Sequence, residues 1–395
     1  MIEPKLRFKA DDGSQFPEWE EKTIDEVAEC LDNKRVPVNS EERKKRVGVI
    51  PYYGAGGIQG YIDDYLFDEE LVLLLEDGDA FDDFQTKSIA QYVTGKSWVN
   101  NHAHVLRANG NSYFLFASLE HKDIRRWTQL AGSRGAASRK KLLKDSMLKI
   151  TINMPSLAEQ QKIAEFLSTI DTVIEKQKET VSAWEECKKG VMQKLFSQEV
   201  RFKADDGSDF PEWEEKKLGD ICKTFSGGTP KSGEARYYDN GTISFIRSGE
   251  IHDDKTELRI TNDGLNESSA KMVDIGDILY ALYGATSGEV DISKIKGAIN
   301  QAILCIRPLN DFNRKFIVEI LRYNKETILR TYLQGGQGNL SAQIIQSLVF
   351  DFPCVAEQQK IADCLSSLDE VIEKQKATLA AWEELKKGLL QQMFV

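Results

Sequence analysis

His102 and His104 are the residues of this 395-residue chain whose spacing best suits a metal site. Residues two apart on a β-strand point to the same face, so both imidazoles could bind one ion there. The chain has only four histidines, no CxxC pair and no third ligand close to these two in sequence. We therefore expect no metal site in this chain.

Catalytic motifs are missing from the sequence. It contains no GxxxxGK[ST] loop for a nucleoside triphosphate and no Asn/Asp-Pro-Pro-aromatic motif of an amino-methyltransferase. The glycine-rich segment 53–57 does not sit in the strand–turn–helix unit that binds dinucleotides, so we interpret it as a loop. No nuclease cluster or nucleophilic triad is evident. We expect a non-catalytic chain that binds no cofactor of its own.

Basic and amide side chains in the loop segments are the remaining functional candidates. Lys and Arg bind phosphates, and Asn and Gln suit adenine edges in the major groove of DNA. The alternatives are a solvated face for each basic run and ordinary turn capping for each amide. The candidate DNA-contacting residues are Lys34, Arg35, Lys44, Lys45, Arg46, Tyr53, Gln59, Asn100, Asn101, His102, Arg134, Arg139, Lys140, Thr229, Lys231, Arg247, Ser248, Thr286, Ser287, Asn300, Gln301, Gln337 and Asn339.

The net charge of −11 argues, taken alone, against a nucleic-acid partner. Acidic residues are concentrated in 61–83, however, while Lys and Arg cluster in 34–46 and 122–149, so local positive faces are possible. Six scattered cysteines indicate reduced thiols in a cytoplasmic protein. The polar start and the absence of a long apolar run predict neither a signal peptide nor a membrane span.

An internal repeat organises the chain. Residues 7–21 read RFKADDGSQFPEWEE and residues 201–215 read RFKADDGSDFPEWEE. A second repeat begins with AEQQKIA at 158–164 and at 356–362, and it continues for about 30 residues in each copy. Between these frames lie two inserts of similar length that share no obvious sequence. This order predicts that the frames contact the same kind of partner twice, while the inserts contact two different things.

Both long repeats have the apolar spacing of a coiled coil, alternating four and three residues from Ile163 to Leu195 and from Ile361 to Met393. Two such helices in one chain are natural partners. An antiparallel pair places the inserts at opposite ends and a parallel pair places them at one end. We favour the antiparallel pair, because its two-fold axis matches that of a DNA duplex. A coiled coil that serves only for dimerisation would leave the divergent inserts unexplained.

We predict a mixed α+β fold with internal pseudo-two-fold symmetry, in which two domains with twisted β-sheets are separated by two long antiparallel helices. The first long helix is followed by a frame segment, whereas the second ends at the C-terminus and its matching frame segment is the N-terminal one. The N-terminal segment should therefore complete the second half and lie near the C-terminus. The predicted parts are the frame segment 1–21, a first recognition domain 22–154, a first long helix 155–199, the repeated frame segment 200–215, a second recognition domain 216–352 and a second long helix 353–395.

These features together resemble the specificity subunit of type I restriction–modification systems, over nearly the whole chain. In the frames the resemblance rests on P-x-x-AEQQKIA followed by the heptad helix, seen twice. In the inserts it rests on PYYGAGGIQGYIDD (51–64), GKSWVNNHAHVLR (95–107), SGGTPKSGEARYYDNGTISFIRSGEI (226–251) and GATSGEVDISKIKGAINQAILCIRP (284–308).

The resemblance implies two target recognition domains that bind a bipartite, asymmetric sequence in double-stranded DNA, one half-site each. It implies a complex with two methyltransferase subunits, which bring S-adenosylmethionine and methylate adenine N6. A restriction complex adds two motor–nuclease subunits that use ATP and Mg. Three alternatives stay open: an adaptor for methylation alone, a coiled-coil scaffold without a DNA role, and a fused enzyme, which the missing motifs disfavour.

Overall fold

The computed structural model describes residues 4–83, 86–131, 133–134, 140–310, 312–333 and 339–394. The candidate residues Arg139 and Gln337 lie outside this part of the chain, and Arg134 is described by its backbone alone. The chain divides into two compact units, Met1–Glu179 with Ala377–Val395, and Thr180–Lys376. Each unit holds one insert and part of each long helix.

The insert of the first unit is built from two four-stranded sheets. Antiparallel strands form the sheet β2-β9-β6-β7, and in the sheet β4-β3-β8-β5 the central strands β3 and β8 are parallel. Strands β1 and β12 pair where the chain enters and leaves the insert. The elements are β1 (Glu20–Thr23), α1 (Ile24–Val27), β2 (Ala28–Cys30), α2 (Ser40–Lys45), β3 (Ile50–Gly54), β4 (Gly57–Ile62), β5 (Phe67–Asp68), β6 (Leu71–Leu75), β7 (Ala90–Val93), β8 (Lys96–Val99), β9 (Ala103–Ala108), α3 (Ser112–Leu119), α4 (Lys122–Ala131), β10 (Ser133–Arg134), β11 (Lys140–Lys141), α5 (Lys144–Met147), β12 (Thr151–Met154) and α6 (Leu157–Phe196).

The insert of the second unit has the same topology as the first. Its sheets are β14-β21-β18-β19 and β16-β15-β20-β17, and β15 and β20 are again the parallel pair. Two inserts without evident sequence similarity therefore share one fold. The elements are β13 (Glu214–Lys217), α7 (Leu218–Ile221), β14 (Cys222–Ser226), β15 (Ile243–Ile246), β16 (Arg259–Ile260), α8 (Asn262–Asn266), β17 (Lys271–Val273), β18 (Ile278–Ala281), β19 (Val290–Ile292), β20 (Gly297–Ile299), β21 (Ile303–Pro308), α9 (Arg314–Tyr323), α10 (Lys325–Leu333), α11 (Ala342–Ser347), β22 (Val349–Phe352) and α12 (Val355–Met393).

The antiparallel sheet of each insert is covered on both faces. In the first unit, Val72 and Leu74 of β6 pack in a core with α3 and the start of α6, while Leu71 and Leu73 face the sheet that contains β3 and β8. All five residues of β6 are buried, which explains its uninterrupted apolar sequence. In the second unit, alternate residues of β18 divide between two cores in the same way.

The long helices run antiparallel within each unit, which confirms the predicted orientation there. In the first unit Lys386 of α12 contacts Asp171 of α6 at 2.5 Å, and Glu383 contacts Lys178 at 3.9 Å, so the numbering falls on one helix as it rises on the other. The second unit repeats the pattern with Lys188–Asp369 at 2.7 Å and Lys376–Glu185 at 2.9 Å. The placement of the inserts at opposite ends of the helices stays a prediction.

A buried carboxylate at the start of each long helix explains much of the frame repeat. Glu159 is fully buried and accepts two hydrogen bonds from Arg7, at 3.0 and 2.8 Å, and one from the Trp19 indole at 3.2 Å. Glu357 is held in the same way by Arg201, at 3.1 and 2.8 Å, and by Trp213 at 3.2 Å. The RFKADDGS and FPEWEE segments are thereby attached to the helices.

The glutamines of AEQQKIA attach each helix to its insert. Gln160 accepts from the Asn111 backbone N–H at 3.1 Å, and Gln161 accepts from the Asn111 side-chain amide at 2.9 Å. Asn111 in turn caps helix α3 by accepting from the N–H of Phe114. The equivalent contacts in the second unit join Gln358 and Gln359 to Asn313, at 2.8 and 2.7 Å. The repeated motif therefore sets the position of each insert on its helix.

The N-terminal segment contacts the end of α12 in the same way as the internal frame segment contacts the end of α6. The N–H of Leu6 donates to the Gln392 carbonyl at 3.0 Å, close to the end of α12. At the internal junction, the N–H of Val200 donates to the Lys194 carbonyl at 3.2 Å, close to the end of α6. The N-terminal segment thus lies beside the end of α12, but it belongs to the first unit, where Arg7 binds Glu159 of α6, and it does not complete the second half as predicted.

Two local predictions need correction. The segment 53–57 is a tight β-hairpin rather than a loop, since Gly54 ends β3 and pairs with Gly57, the first residue of β4. Gly57 has a φ of 122°, a conformation that favours glycine. The long helices span Leu157–Phe196 and Val355–Met393, and both are shorter than the predicted 155–199 and 353–395.

We predict that Glu159→Ala destabilises the first unit by about 3 to 5 kcal/mol, because the Arg7 guanidinium then loses its buried partner. Urea unfolding followed by circular dichroism measures the change. Glu186→Ala is the matched control on the same helix, since its carboxylate is 73% exposed, and it should change stability by less than about 0.5 kcal/mol. Equal effects of the two substitutions would contradict this interpretation of the frame.

Candidate nucleic-acid interface

The parallel strand pair of each insert brings separate candidate residues to one edge. In the second unit Ile246 of β15 is in register with Ile299 of β20, so Arg247 and Asn300 are the next residues on neighbouring strands. In the first unit Tyr53 of β3 is in register with Val99 of β8, and the next residues are Gly54 and Asn100. We call the end of each pair, with the turns that follow it, the carboxyl edge.

The carboxyl edge of the second unit gathers most of its candidate residues. The N–H of Gly227 donates to the Asn300 carbonyl at 3.2 Å, and Thr229 donates to the exposed Gln301 side chain at 2.8 Å. A Cβ on Gly227 would lie 1.8 Å from the Ile299 carbonyl oxygen, so only glycine permits this approach. Lys231 follows in the same loop and is exposed.

Two further turns of the second unit lie at this edge. The strands β18 and β21 pair up to Ala281 and Ile303, so the turn after β18, which carries Thr286 and Ser287, lies at the same end as Asn300. The chain returns there once more, because the N–H of Leu340 donates to the Leu282 carbonyl at 3.0 Å. This places the exposed Asn339 beside the turn, and Ser248 directly follows Arg247.

The carboxyl edge of the first unit is lined by amides. Asn100 is buried, and its side chain accepts from the N–H of His102 at 2.8 Å while its amide donates to Gln59 at 3.3 Å. Asn300 caps the equivalent turn through the N–H of Ala302 at 3.0 Å. Both asparagines therefore cap turns, as the alternative interpretation held, and the exposed neighbours Asn101 and Gln301 are left to face solvent.

Sequence reasoning overlooked two polar residues at these edges, Gln91 and Glu250. Gln91 donates to the carbonyls of Gly54 and Ala55, at 3.1 and 3.0 Å, and it fixes the hairpin turn. Glu250 binds the Arg247 side chain. The i,i+3 spacing of Arg247 and Glu250 was the available signal for the second contact.

The basic helix α2 packs on a face of the parallel strand pair in the first unit. Arg43 stacks on Tyr52 at 4.6 Å and Arg46 stacks on Trp98 at 4.5 Å, so the helix covers a face of the parallel pair. Arg46 also pairs with Asp63 at 2.8 Å, just after the end of β4. Lys44 is exposed beside Glu41, and Lys45 is exposed as well. Among the described residues, neither hydrogen bonds nor ion pairs join Lys44, Lys45 or Arg46 to Asn101.

Arg35 belongs to a cluster of charges inside the first insert. Its guanidinium contacts Glu76, Asp32 at 3.2 Å and the Ala103 carbonyl at 2.8 Å, and its side chain is 13% exposed. Lys141 binds the other oxygen of Glu76 at 2.8 Å. Three more candidates lie nearby: His102 contacts Asp77 at 3.0 Å, Lys140 contacts Asp82 at 2.8 Å, and Lys34 is exposed in the turn before Arg35.

This cluster contains the three potential metal ligands Asp32, Glu76 and His104, whose ligand atoms lie within 4.8 Å of one another. Both nitrogens of His104 are already bonded, Nδ1 to Asp32 at 2.6 Å and Nε2 to the Leu142 carbonyl at 2.9 Å. The carboxylates are paired with Arg35 and Lys141. The cluster thus fits an internal ion network, and His102 lies in the turn before β9 rather than beside His104 on a strand.

The network lowers the pKa of both carboxyl groups. Burial favours their neutral forms, but hydrogen bonds from His104 and the Val105 N–H outweigh it and lower the pKa of Asp32. Contacts with Lys141 and Arg35 likewise lower the pKa of Glu76 against the effect of burial. Each ionised carboxylate therefore stabilises the folded state at pH values above its ordinary pKa. This contribution is lost as the pH falls through the lowered pKa of the folded state.

We predict that Arg35→Gln lowers the unfolding free energy by about 3 kcal/mol at neutral pH, because Glu76 loses a buried partner. The difference from the wild type should shrink as the pH falls through the lowered pKa values of Asp32 and Glu76, where both carboxyl groups become protonated in the folded state. Thermal unfolding measured across that pH range tests this. A difference that stays constant with pH would contradict the electrostatic role.

Comparison with known sequences shows the family. The model of the type I restriction modification DNA specificity domain matches residues 17–182 and 211–381. A type I restriction enzyme specificity subunit of Methanocaldococcus jannaschii is 25% identical over 97% of this chain and 94% of its own length. A putative type I restriction enzyme specificity subunit of Haemophilus influenzae is 38% identical, over 40% of this chain and 38% of its own length.

Solved structures share the fold. A crystal structure of the S subunit of a type I restriction-modification system from M. genitalium matches with a TM-score of 0.65 at 15% identity, and the match covers 100% of this chain and 99% of that one. No helix within the described residues combines the length and apolar character needed to cross a bilayer. With two matched domains that span most of its length, the chain belongs to the type I restriction–modification DNA specificity family.

Proposed function

We propose that each insert reads one half of a bipartite, asymmetric sequence in a single DNA duplex. The observation that carries this proposal is the pair of carboxyl edges. The backbones around the parallel strands are equivalent, but the edge residues are Gly54 and Asn101 in one insert and Arg247 and Gln301 in the other. Equivalent frameworks with unlike side chains suit two different half-sites.

The chemistry of the edge side chains supports base reading. Amide groups such as those of Asn101 and Gln301 donate and accept at once, which matches the N6 and N7 positions of adenine in the major groove. Both side chains are exposed, whereas their neighbours Asn100 and Asn300 are used within the turns. The capped turns fix the backbone that carries these two amides, so less conformational entropy is lost when they bind a base.

The frames are proposed to dock two methyltransferase subunits, one on each half. Exposed residues recur at matching positions of the long helices, as in the Glu186–Lys189 pair of α6 and the Glu384–Lys387 pair of α12. Two like surfaces suit two copies of one partner. A solved structure with a TM-score of 0.54 at 18% identity, which covers 95% of this chain, comes from work on complex assembly of the type I R-M system.

The catalytic chemistry is proposed to reside in those partners, in the cytoplasm. Methyltransferase subunits would bring S-adenosylmethionine for adenine N6 methylation, and two motor–nuclease subunits would bring ATP and Mg in a restricting complex. The target adenine is stacked inside the duplex, so the methyltransferase must extrude it. This chain would hold the duplex and determine which adenine is presented.

We predict that a chain in which a second copy of residues 22–154 replaces residues 216–352 directs methylation to a symmetric motif. Both halves would then read the same half-site in inverted orientation, because the inserts share topology and the frames share contacts. Sequencing of methylated sites after reconstitution with the methyltransferase measures the motif. An unchanged motif would contradict reading by the inserts, and methylation at unrelated sites would favour a scaffold without a DNA role.

A further inference from the structure

Arg247 occupies the position where the two carboxyl edges differ most. It is the first residue after β15, and Asn300 is the first residue after the parallel strand β20. The equivalent residue of the first insert is Gly54, which is also the first position past the registered pair. A Cβ at Gly54 would lie 2.1 Å from the Gln59 side chain. The second insert thus offers a long cationic donor where the first offers none.

A buried carboxylate holds the Arg247 guanidinium in a fixed orientation. Glu250 accepts from Nε at 3.1 Å and from Nη2 at 3.0 Å, and its side chain is 10% exposed. The same carboxylate accepts from the backbone N–H groups of Arg247 and Glu257, each at 3.0 Å. Four donors therefore bind Glu250, two from the guanidinium and two from the backbone. Through this carboxylate, the Nε and Nη2 side of the guanidinium is held to the backbone of the loop.

The Arg247 side chain lines an open cavity. Arg247 is 45% exposed, and Nη2 also contacts Glu257 at 2.6 Å, whose side chain is 85% exposed. Within the described residues Nη1 has no hydrogen-bond partner. The cavity has a volume of about 710 Å³ and is lined by Arg247, Gly249, Glu250, Asp253, Lys255, Thr256 and Glu257.

The charges around this cavity favour a base edge over a phosphate. The lining carries two cations, Arg247 and Lys255, and three carboxylates, Glu250, Asp253 and Glu257, so it lacks the excess of positive charge that binds a phosphate. A guanine edge is neutral and presents the acceptors O6 and N7 side by side, which the two outer nitrogens of arginine match.

We infer that Arg247 reads a guanine in the half-site of the second insert, through Nη1 and Nη2. Glu250 is the positioning residue that fixes the plane of the guanidinium. In the free protein Nη2 donates a hydrogen bond to Glu257, and this bond breaks when the base binds. This inference rests on the proposed function, because it assumes that the carboxyl edge enters the major groove.

The test is Arg247→Lys in a complex reconstituted with the methyltransferase, assayed on a library of duplexes that carry every single-base change in the target. Lysine keeps the charge but cannot make the paired contact. Discrimination for guanine at one position of one half-site should fall roughly 10- to 100-fold, while the other half-site is unchanged. Glu257→Gln should bind the target more tightly and keep the guanine requirement.

Arg307→Lys is the matched control, because Arg307 is also bidentate to a carboxylate, Asp277 at 2.9 and 2.6 Å, but lies at the far end of β21 from Asn300. It should leave the motif unchanged. An Arg247→Lys complex that keeps its full guanine requirement, or that weakens evenly on every duplex as loss of a phosphate contact would, overturns the inference. A wild-type complex without any two-part motif overturns the proposed function as well.

Discussion

The buried ion pair between Glu159 and Arg7, repeated between Glu357 and Arg201, is the constraint on which the architecture depends. Burying a carboxylate is unfavourable unless charged donors bind it. The segments that carry Arg7 and Arg201 therefore cannot detach from the helices without a large free-energy cost. Each pair lies in the first turn of a long helix, where the helix dipole also favours a negative charge. The adjacent glutamines then fix the insert through Asn111 and Asn313.

The frames make the same contacts in both units, whereas the side chains at the carboxyl edges differ. The frame fixes the polypeptide at both ends of an insert, where β1 pairs with β12 and β13 pairs with β22. Inside that boundary the sheets keep the same order, but the side chains at the carboxyl edge are free to differ. The cores of the sheets need only apolar residues of suitable size. Recognition can therefore change without any change in how the chain is held.

The repeat made the helices and their pairing predictable from the sequence. The heptad pattern from Ile163 to Leu195 is long enough to specify a helix, and two like copies imply a partner. Strands such as β6, β9, β15 and β21 coincide with short apolar runs between turn residues, a pattern that is visible in the sequence. The shared topology of the inserts could not be predicted, because strand order depends on pairings between residues far apart in sequence rather than on local pattern.

The site was harder to predict for a similar reason. Asn100 and Asn101 are adjacent and alike in type, yet one is buried in a turn and the other is exposed, and only the fold distinguishes them. Arg35 and Arg247 are both arginines in loops, but Arg35 completes an internal ion network while Arg247 faces a cavity. Each arginine binds a buried glutamate, Glu76 or Glu250, but only the fold leaves the Arg247 side chain exposed and the Arg35 side chain enclosed.

The central claim is that the two carboxyl edges contact opposite halves of one target. The most direct measurement places a photocrosslinking amino acid at Asn101 in one variant and at Gln301 in another, and maps the crosslinked bases on a single target duplex in the reconstituted complex. The account predicts crosslinks in one half-site from Asn101 and in the other half-site from Gln301. Crosslinks from both positions to the same half-site, or to the unmodified spacer alone, would contradict it.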